Sequence, residues 1–164
     1  MSILAYIGLG ANLGDPIEQL VKARKGLSEF DGVNRTRSSY IYLSSPVGYS
    51  DQPTFANCVV ELTFNKGHRD LFRQMQKLEN CLGRLRDPNN QNAPRLIDID
   101  LLLFGDLVIK EPDLVVPHPR MHERLFVLLP LQELNVDLAR SMSNDTLTQL
   151  EIHFPGQSLI KLAL

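Results

Sequence analysis

The sequence has only two cysteines and no tryptophan, and it has no large excess of charge of either sign. Cys58 and Cys81 are too few for a disulfide framework or for a zinc site built from cysteines. The 17 basic and 19 acidic residues give a formal net charge of −2. No overall basic excess is therefore available to bind a nucleic-acid backbone.

Long apolar runs are absent as well. No run approaches the roughly 20 residues needed to cross a bilayer. No basic segment precedes the apolar residues of the N-terminal stretch, as it would in a signal peptide. There is no internal repeat or low-complexity tract, and 164 residues fit a single domain. We therefore expect one cytoplasmic domain, residues 1–164, that is an enzyme or a binding module.

The hydrophobic pattern predicts the order of helices and strands. Apolar or alternating runs indicate strands, and apolar residues three or four apart indicate helices. The predicted elements are strand 3–9, helix 16–29 capped by Asp15, strands 35–43 and 56–64, a helix from Leu71 to Leu82, strand 96–104, and a short helix 121–129 ended by Pro130. This order predicts an α+β ferredoxin-like sandwich, an antiparallel sheet with two helices on one face. Loops and the C-terminal segment would cover the other face.

Two aspartates, Asp98 and Asp100, lie two residues apart in the most apolar predicted strand. At this spacing both side chains leave the same face of a strand. Two carboxylates in an apolar setting repel each other and are costly to desolvate, so a cation must compensate them. Magnesium held together with substrate phosphates is one solution, and pairing with arginines at an exposed strand end is the other.

Basic side chains lie on both sides of this strand. They are Arg84, Arg86 and Arg95 before it, and His118 and Arg124 after it. Arginine binds phosphate through paired hydrogen bonds, so this pattern predicts a substrate with a polyphosphate. The alternative is that these side chains are solvated surface charges.

Glycines and aromatic residues give two further indications. The segment GLGANLG, Gly8 to Gly14, follows the first strand, and we interpret its glycines as turn formers, with a phosphate-binding loop as the alternative. Phe55 and Phe126 could hold a flat heterocycle between two rings while Asn57 reads its edge. A single phenylalanine is more often a core residue, so this second indication is also open.

Five stretches taken together resemble one enzyme family. They are YIGLGANLGDP, SSPVGYSDQPTFANCVVEL, LENCLGRLR, APRLIDIDLLLFG and VPHPRMHERLFVLLPL. In this order, over residues 4–134, they are similar to the 6-hydroxymethyl-7,8-dihydropterin pyrophosphokinases of folate biosynthesis. The resemblance implies the ferredoxin-like fold and the transfer of pyrophosphate from ATP to the hydroxymethyl oxygen of a reduced pterin, with release of AMP. We expect small-molecule substrates, a monomer, and no binding of nucleic acid or membranes.

The resemblance also implies roles for particular residues. Asp98 and Asp100 would hold two magnesium ions and, with Arg84 and Arg95, form the catalytic set. The residues that match the family's pterin pocket are Pro46, Val47, Gly48, Phe55, Asn57, Asp98 and Phe126. The residues that match its ATP site are Gln76, Glu79, Arg84, Arg86, Arg95, Ile99, Leu101, His118 and Arg124.

The loop before Asp98 departs from the family pattern. Gln91 and Asn92 stand where members usually carry a basic and an aromatic residue, Ala93 replaces a glycine, and Asp87 takes a position that is commonly basic. Weaker closure over the substrates would follow, so a pterin- and nucleotide-binding paralogue with little activity is a second interpretation. An RNA-binding domain of the same topology would need a basic sheet face, which the acidic strand does not supply.

Overall fold

The computed structural model of the protein describes residues 1–44, 54–83, 96–143 and 159–162. The elements are β1 (Ile3–Ala11), α1 (Pro16–Ser28), β2 (Val33–Ser38), β3 (Ile41–Ser44), β4 (Phe55–Phe64), α2 (His68–Cys81), β5 (Asp98–Phe104), β6 (Ile109–Glu111), β7 (Leu114–Val116), α3 (Leu125–Leu134), α4 (Val136–Ser143) and β8 (Leu159–Leu162). A single 3-10 turn, Met121–Glu123, precedes α3.

One antiparallel sheet carries the fold. Its strand order is β5-β1-β4-β3-β8, and β2 pairs with β4 beyond the end of β3. The two central strands, β1 and β4, are also the longest, and they pair along all of β1, from Ile3 opposite Phe64 to Ala11 opposite Ala56. The short strands β6 and β7 form a separate hairpin. The ferredoxin-like α+β fold predicted from the sequence is confirmed.

Helices α1 and α2 cover one face of the sheet. Helix α1 begins at Pro16, where the side chain of Asp15 accepts a hydrogen bond from the N–H of Glu18 at 2.9 Å, as the sequence predicts. Alternate residues of β1 and β4 point toward these helices, as expected for half-buried strands. The largest fully buried side chains of this core include Ile7, Leu20, Leu62, Phe64, Leu71 and Met75.

The other face is covered by α3 and α4, which we call the α3 face. Eight of the ten α3 residues are buried, so helices cover it where loops were expected. Pro130 lies inside α3, and the prediction that it ends the helix is wrong. Proline at this position gives up one hydrogen bond, to the carbonyl of Phe126, and burial of the surrounding apolar side chains outweighs that loss. None of the helices in the described ranges has the length and apolar character of a membrane span.

The predicted strand 35–43 is interrupted. The N–H of Ser39 still donates to the carbonyl of Val59 at 2.9 Å, but the N–H of Tyr40 donates to the Glu133 carboxylate of α3 at 2.8 Å. Because that carboxylate replaces a strand partner, the run divides into β2 and β3. The prediction of one continuous strand is therefore wrong at this point.

A β-bulge in β5 decides which of its side chains reach the α3 face. Tyr6 pairs with Leu103 and the next residue of β1, Ile7, pairs with Leu101, so Leu102 is the extra residue. Leu102 and Leu103 consequently both belong to the cluster under α3. Ahead of the bulge the strand alternates regularly.

Candidate active site

A cavity of about 140 Å³ opens on the α3 face, where β1 ends and β5 begins. Strands β1, β4 and β5 form its floor, and the start of α3 forms its wall. The residues that line it are Gly8, Leu9, Gly10, Phe55, Asn57, Cys58, Asp98, Asp100, Leu102, Arg124, Phe126 and Val127. The set contains two carboxylates, one cation, one amide and two aromatic rings, so it can contact both a charged and a flat apolar ligand group.

Asp98 and Asp100 both line this cavity, as their spacing predicts. Both are partly exposed, while Ile99 between them is 5% exposed and packs toward α1 and α2. The exposed ends of two neighbouring carboxylates thus face the same ligand space. Arg124 Nη1 lies 3.9 Å from Asp100 Oδ2, which is an ion pair without a hydrogen bond. The structure therefore contains some of the arginine compensation that the sequence left open.

Two glycines contribute to the floor of the cavity, a role that was not predicted from the sequence. Gly8 and Gly10 lie within β1, and of the three glycines in this segment only Gly14, with a φ of 62°, has a backbone conformation that favours glycine. Gly8 is paired with Asp100, and Gly10 is paired with Asp98 on one side and Asn57 on the other. The turn interpretation is wrong for Gly8 and Gly10. Their alternation with buried Leu9 was the available signal, but strand pairing is needed to see what they face.

The row Asn57–Gly10–Asp98 crosses three strands. Two strand spacings separate its ends by roughly 10 Å. Because the middle residue has no side chain, a strip of backbone stays open between the amide and the carboxylate. A flat ligand can lie along this strip with one end at Asn57 and the other at Asp98.

Two aromatic rings also belong to the lining of the cavity. Phe55 begins β4, and Phe126 lies in the first turn of α3, and both line the cavity. The guanidinium carbon of Arg124 lies 5.6 Å from the centre of the Phe126 ring. Both phenylalanines are thus at the site, although Phe126 also packs at the edge of the core cluster under α3.

His118 lies beyond the lining residues, next to the bulged part of β5. Its N–H donates to the carbonyl of Leu102 at 2.9 Å, and its Nδ1 accepts a hydrogen bond from the N–H of Arg120 at 3.2 Å. Burial lowers the pKa of the imidazole; Asp100 acts to raise it, and Arg124 and Arg120 act to lower it. With Nδ1 accepting, a neutral ring carries its proton on Nε2 and can donate it to an anion.

Other predicted ATP-site residues lie on the opposite side of β5. Ile99 and Leu101 are buried in the core beneath α1 and α2. Glu79 of α2 is 3% exposed, and its Oε1 accepts a hydrogen bond from the N–H of Ile99 at 2.7 Å. Gln76, one turn earlier in α2, is partly exposed. These side chains do not line the cavity.

The remaining predicted site residues lie outside the described residues. They are Arg84, Arg86 and Arg95, the segment Pro46, Val47 and Gly48, and the atypical loop positions Asp87, Gln91, Asn92 and Ala93. Their predicted roles stay predictions.

Comparison with known proteins identifies similar chains. The family model described as 7,8-dihydro-6-hydroxymethylpterin-pyrophosphokinase (HPPK) matches residues 6–136. The 2-amino-4-hydroxy-6-hydroxymethyldihydropteridine pyrophosphokinase of Haemophilus influenzae is 37% identical over 160 residues, 98% of each chain. The protein of the same name from Bacillus subtilis is 44% identical over 134 residues, 82% of this chain and 79% of that one.

Solved structures give the same fold. A Plasmodium falciparum HPPK-DHPS protein matches with a TM-score of 0.67 and 15% sequence identity. The match covers 96% of this chain and 48% of the longer one, so this chain spans under half of that protein. At this identity the likeness supports the arrangement of helices and strands alone.

Proposed function

The chain belongs to the 7,8-dihydro-6-hydroxymethylpterin-pyrophosphokinase family, and on this premise we propose that the cavity on the α3 face is its active site. The protein is a pyrophosphokinase of folate biosynthesis that transfers pyrophosphate from ATP to 6-hydroxymethyl-7,8-dihydropterin and yields AMP. The row Asn57–Gly10–Asp98 is the observation that supports the location, because it joins an amide to a carboxylate across an open strip of sheet.

The pterin would lie on this strip. Its two flat rings match the apolar space beside Phe55 and Phe126, and its polar edge matches the amide of Asn57. In this orientation the hydroxymethyl group points toward Asp98. Burial of the ring against the sheet and α3 excludes water from the attacking oxygen.

The triphosphate would lie at the Asp98 and Asp100 end. Arg124 of the α3 wall and the Nε2–H of His118 supply donors there, and Arg84 and Arg95 are proposed to add further positive charge. Donors placed around transferring phosphates stabilise the charge of the transition state and align the reacting atoms. Ile99, Leu101 and Glu79 are buried away from the cavity, so the ATP contacts predicted for them, and those predicted for Gln76 and Arg86, stay predictions.

The carboxylates fit magnesium. Asp98 and Asp100 provide hard oxygen donors that are partly exposed on one face, and magnesium commonly takes only one or two protein carboxylates along with water and substrate phosphates. No group of three His, Cys, Asp or Glu side chains suited to a metal exists among the residues that the structure describes. Because water and substrate phosphates can complete the coordination, we propose that two magnesium ions bind at these aspartates together with ATP. When bound, magnesium neutralises phosphate charge and activates the β-phosphorus.

The attacking hydroxyl must lose its proton. Among the described lining residues the only side chains that can act as a base are the carboxylates of Asp98 and Asp100 and, in its ionised form, the sulfur of Cys58. Burial raises the pKa of Cys58, so that sulfur stays protonated and is not a base. We propose a carboxylate oxygen of Asp98 as the acceptor, since it lies in the same row as the pterin site.

Product analysis tests the reaction. With ATP, magnesium and 6-hydroxymethyl-7,8-dihydropterin, the protein should release AMP in equal amount to the pterin diphosphate, as read by chromatography. Release of ADP would mean transfer of a single phosphoryl group and would contradict the assignment. Pterin binding without any AMP would instead indicate the binding paralogue.

The assembly state and location are further expectations. We propose that the enzyme acts as a cytoplasmic monomer on these two small molecules. Sedimentation of the purified protein, with and without both substrates, should give one species of 18.5 kDa.

A further inference from the structure

The amide of Asn57 has two chemically different ends, and only one of them can face the ligand. Asn57 is 4% exposed and lines the cavity between Gly10 of β1 and Tyr42 of β3. If the oxygen faces the cavity, the site accepts a hydrogen bond from the ligand, and if the nitrogen does, the site donates one. The orientation of this amide therefore decides which heterocycle edge is recognised.

Ser44 binds the nitrogen end. The Nδ2 of Asn57 donates a hydrogen bond to the Oγ of Ser44 at 3.1 Å. Ser44 is the last residue of β3 and is paired with Phe55, so its position is fixed by the strand that flanks the aromatic wall of the site. The hydroxyl itself is not a cavity-lining group.

Gly10 leaves room for the oxygen end. A Cβ at position 10 would lie 3.1 Å from Oδ1 of Asn57, so the oxygen is directly over the glycine. A Cα–H group next to a carbonyl oxygen is weakly favourable, whereas next to an amide N–H it is repulsive. Among the described residues no hydrogen bond reaches this oxygen. The residue is 4% exposed and lines the cavity, so this oxygen can accept a hydrogen bond from a ligand donor there.

We propose that Ser44 is a positioning residue that holds the Asn57 amide with its oxygen toward the cavity, and that the site thereby selects a ligand edge that donates N–H. The inference rests on the proposed function, because the reduced pterin is the ligand whose edge carries such N–H groups. With the amide reversed, its N–H would meet the ligand's N–H, and both donors would be unmatched.

A double-mutant cycle tests the proposal. The dissociation constant of 6-hydroxymethyl-7,8-dihydropterin is measured by calorimetry with magnesium and α,β-methylene-ATP, for Ser44→Ala, Ser44→Thr, Asn57→Ala and the Ser44→Ala/Asn57→Ala pair. Ser44→Ala should weaken pterin binding about 5- to 10-fold, and Asn57→Ala about 10-fold or more. Adding Ser44→Ala to Asn57→Ala should weaken pterin binding by less than about twofold, because the hydroxyl acts through the amide.

Two controls separate positioning from a structural effect. Ser44→Thr keeps a hydroxyl on the strand and should stay within about twofold of the unmodified protein. Ser38→Ala removes a β2 hydroxyl that donates to the carbonyl of Ser39, and pterin affinity should not change. The affinity for the ATP analogue should be the same in every variant.

The outcomes are distinct. The role of Ser44 would be overturned if the losses of pterin affinity in Ser44→Ala and Asn57→Ala multiply in the double variant. It would also be overturned if Ser44→Thr binds the pterin as weakly as Ser44→Ala does. Either result would leave the proposed function intact. Full pterin affinity in Asn57→Ala would overturn both this role and the proposed pterin site, whereas AMP formation would still report the reaction itself.

Discussion

At the scale of single residues, the site depends on the absence of a side chain at Gly10 of β1. Gly10 lies between an amide on β4 and a carboxylate on β5, and the absence of a side chain there keeps the floor open. The two aspartates could be assigned to one face from the sequence, because strand alternation is local. The role of Gly10 could not, because it depends on which strands lie beside β1.

Gly10→Ala should therefore damage the pterin side of the site. The new methyl group would lie 3.1 Å from Oδ1 of Asn57, which has to move by a few tenths of an ångström. We expect the KM for the pterin to rise about 10-fold, equivalent to ~1.4 kcal/mol, while the KM for ATP changes less than about twofold. Steady-state kinetics with each substrate varied in turn measure both values.

Gly67→Ala is the matched control, since its Cβ would meet only the tip of Asp70 at 3.8 Å. It should leave both KM values unchanged. An equal rise in both KM values for Gly10→Ala would contradict a floor that serves the pterin alone.

At the scale of elements, Glu133 anchors helix α3 to the sheet. Its carboxylate accepts hydrogen bonds from the hydroxyl of Tyr42 at 2.7 Å and the N–H of Tyr40 at 2.8 Å, and it pairs with Lys161 of β8. Since the first turn of α3 carries Phe126 toward the cavity, the anchor at its other end helps to orient the site. Nothing in the sequence near Glu133 indicates these partners, which come from β3, from the break just before it and from β8.

Glu133→Gln should lower stability in a pH-dependent manner. Burial acts to raise the pKa of Glu133, but hydrogen bonds from Lys161, Tyr42 and Tyr40 outweigh it, and the pKa lies below the ordinary 4.5. A lowered folded-state pKa adds stability above the unfolded-state pKa, and this stability is lost as the pH falls through the folded-state value. The substitution should cost roughly 1–2 kcal/mol at pH 7.

Urea unfolding as a function of pH measures this difference. The difference in the free energy of unfolding between the unmodified protein and Glu133→Gln should be constant near neutrality and should become smaller once the pH falls below 4.5. Glu29→Gln, at the exposed end of α1, is the control and should cost little. A difference that stays the same size into strong acid would argue against the carboxylate anchor.

At the scale of the whole molecule, the two faces of the sheet have different roles, since one packs against the main core and the other carries the candidate site. One face packs on α1 and α2 around a large apolar core, and the other carries the cavity beside α3. The order of elements from β1 to β5 and the ferredoxin-like fold could be predicted from local periodicity, whereas the β6–β7 hairpin, α4 and β8 were not predicted. The β5 bulge, the break at Tyr40 and the helical Pro130 could not, since each is imposed by packing with distant segments.

Leu71→Ala tests this separation. Leu71 is 0% exposed in the core under α2. Truncating it should lower the free energy of unfolding by about 2–5 kcal/mol. The KM values for ATP and the pterin should remain within about twofold, because the cavity lies on the other face. Denaturant unfolding and kinetics at a temperature where the variant is folded check both parts, and a selective rise in one KM would show that the two faces are coupled.

The central claim is that Asp98 and Asp100 hold divalent cations together with the nucleotide. The most direct measurement is the binding of Mn²⁺, followed by electron paramagnetic resonance, with α,β-methylene-ATP present, to the unmodified protein, Asp98→Asn and the control Asp106→Asn. We expect Asp98→Asn to weaken Mn²⁺ binding at least about 10-fold, since a ligand is lost, and Asp106→Asn to have no effect. Equal Mn²⁺ binding by Asp98→Asn and the unmodified protein would contradict the account.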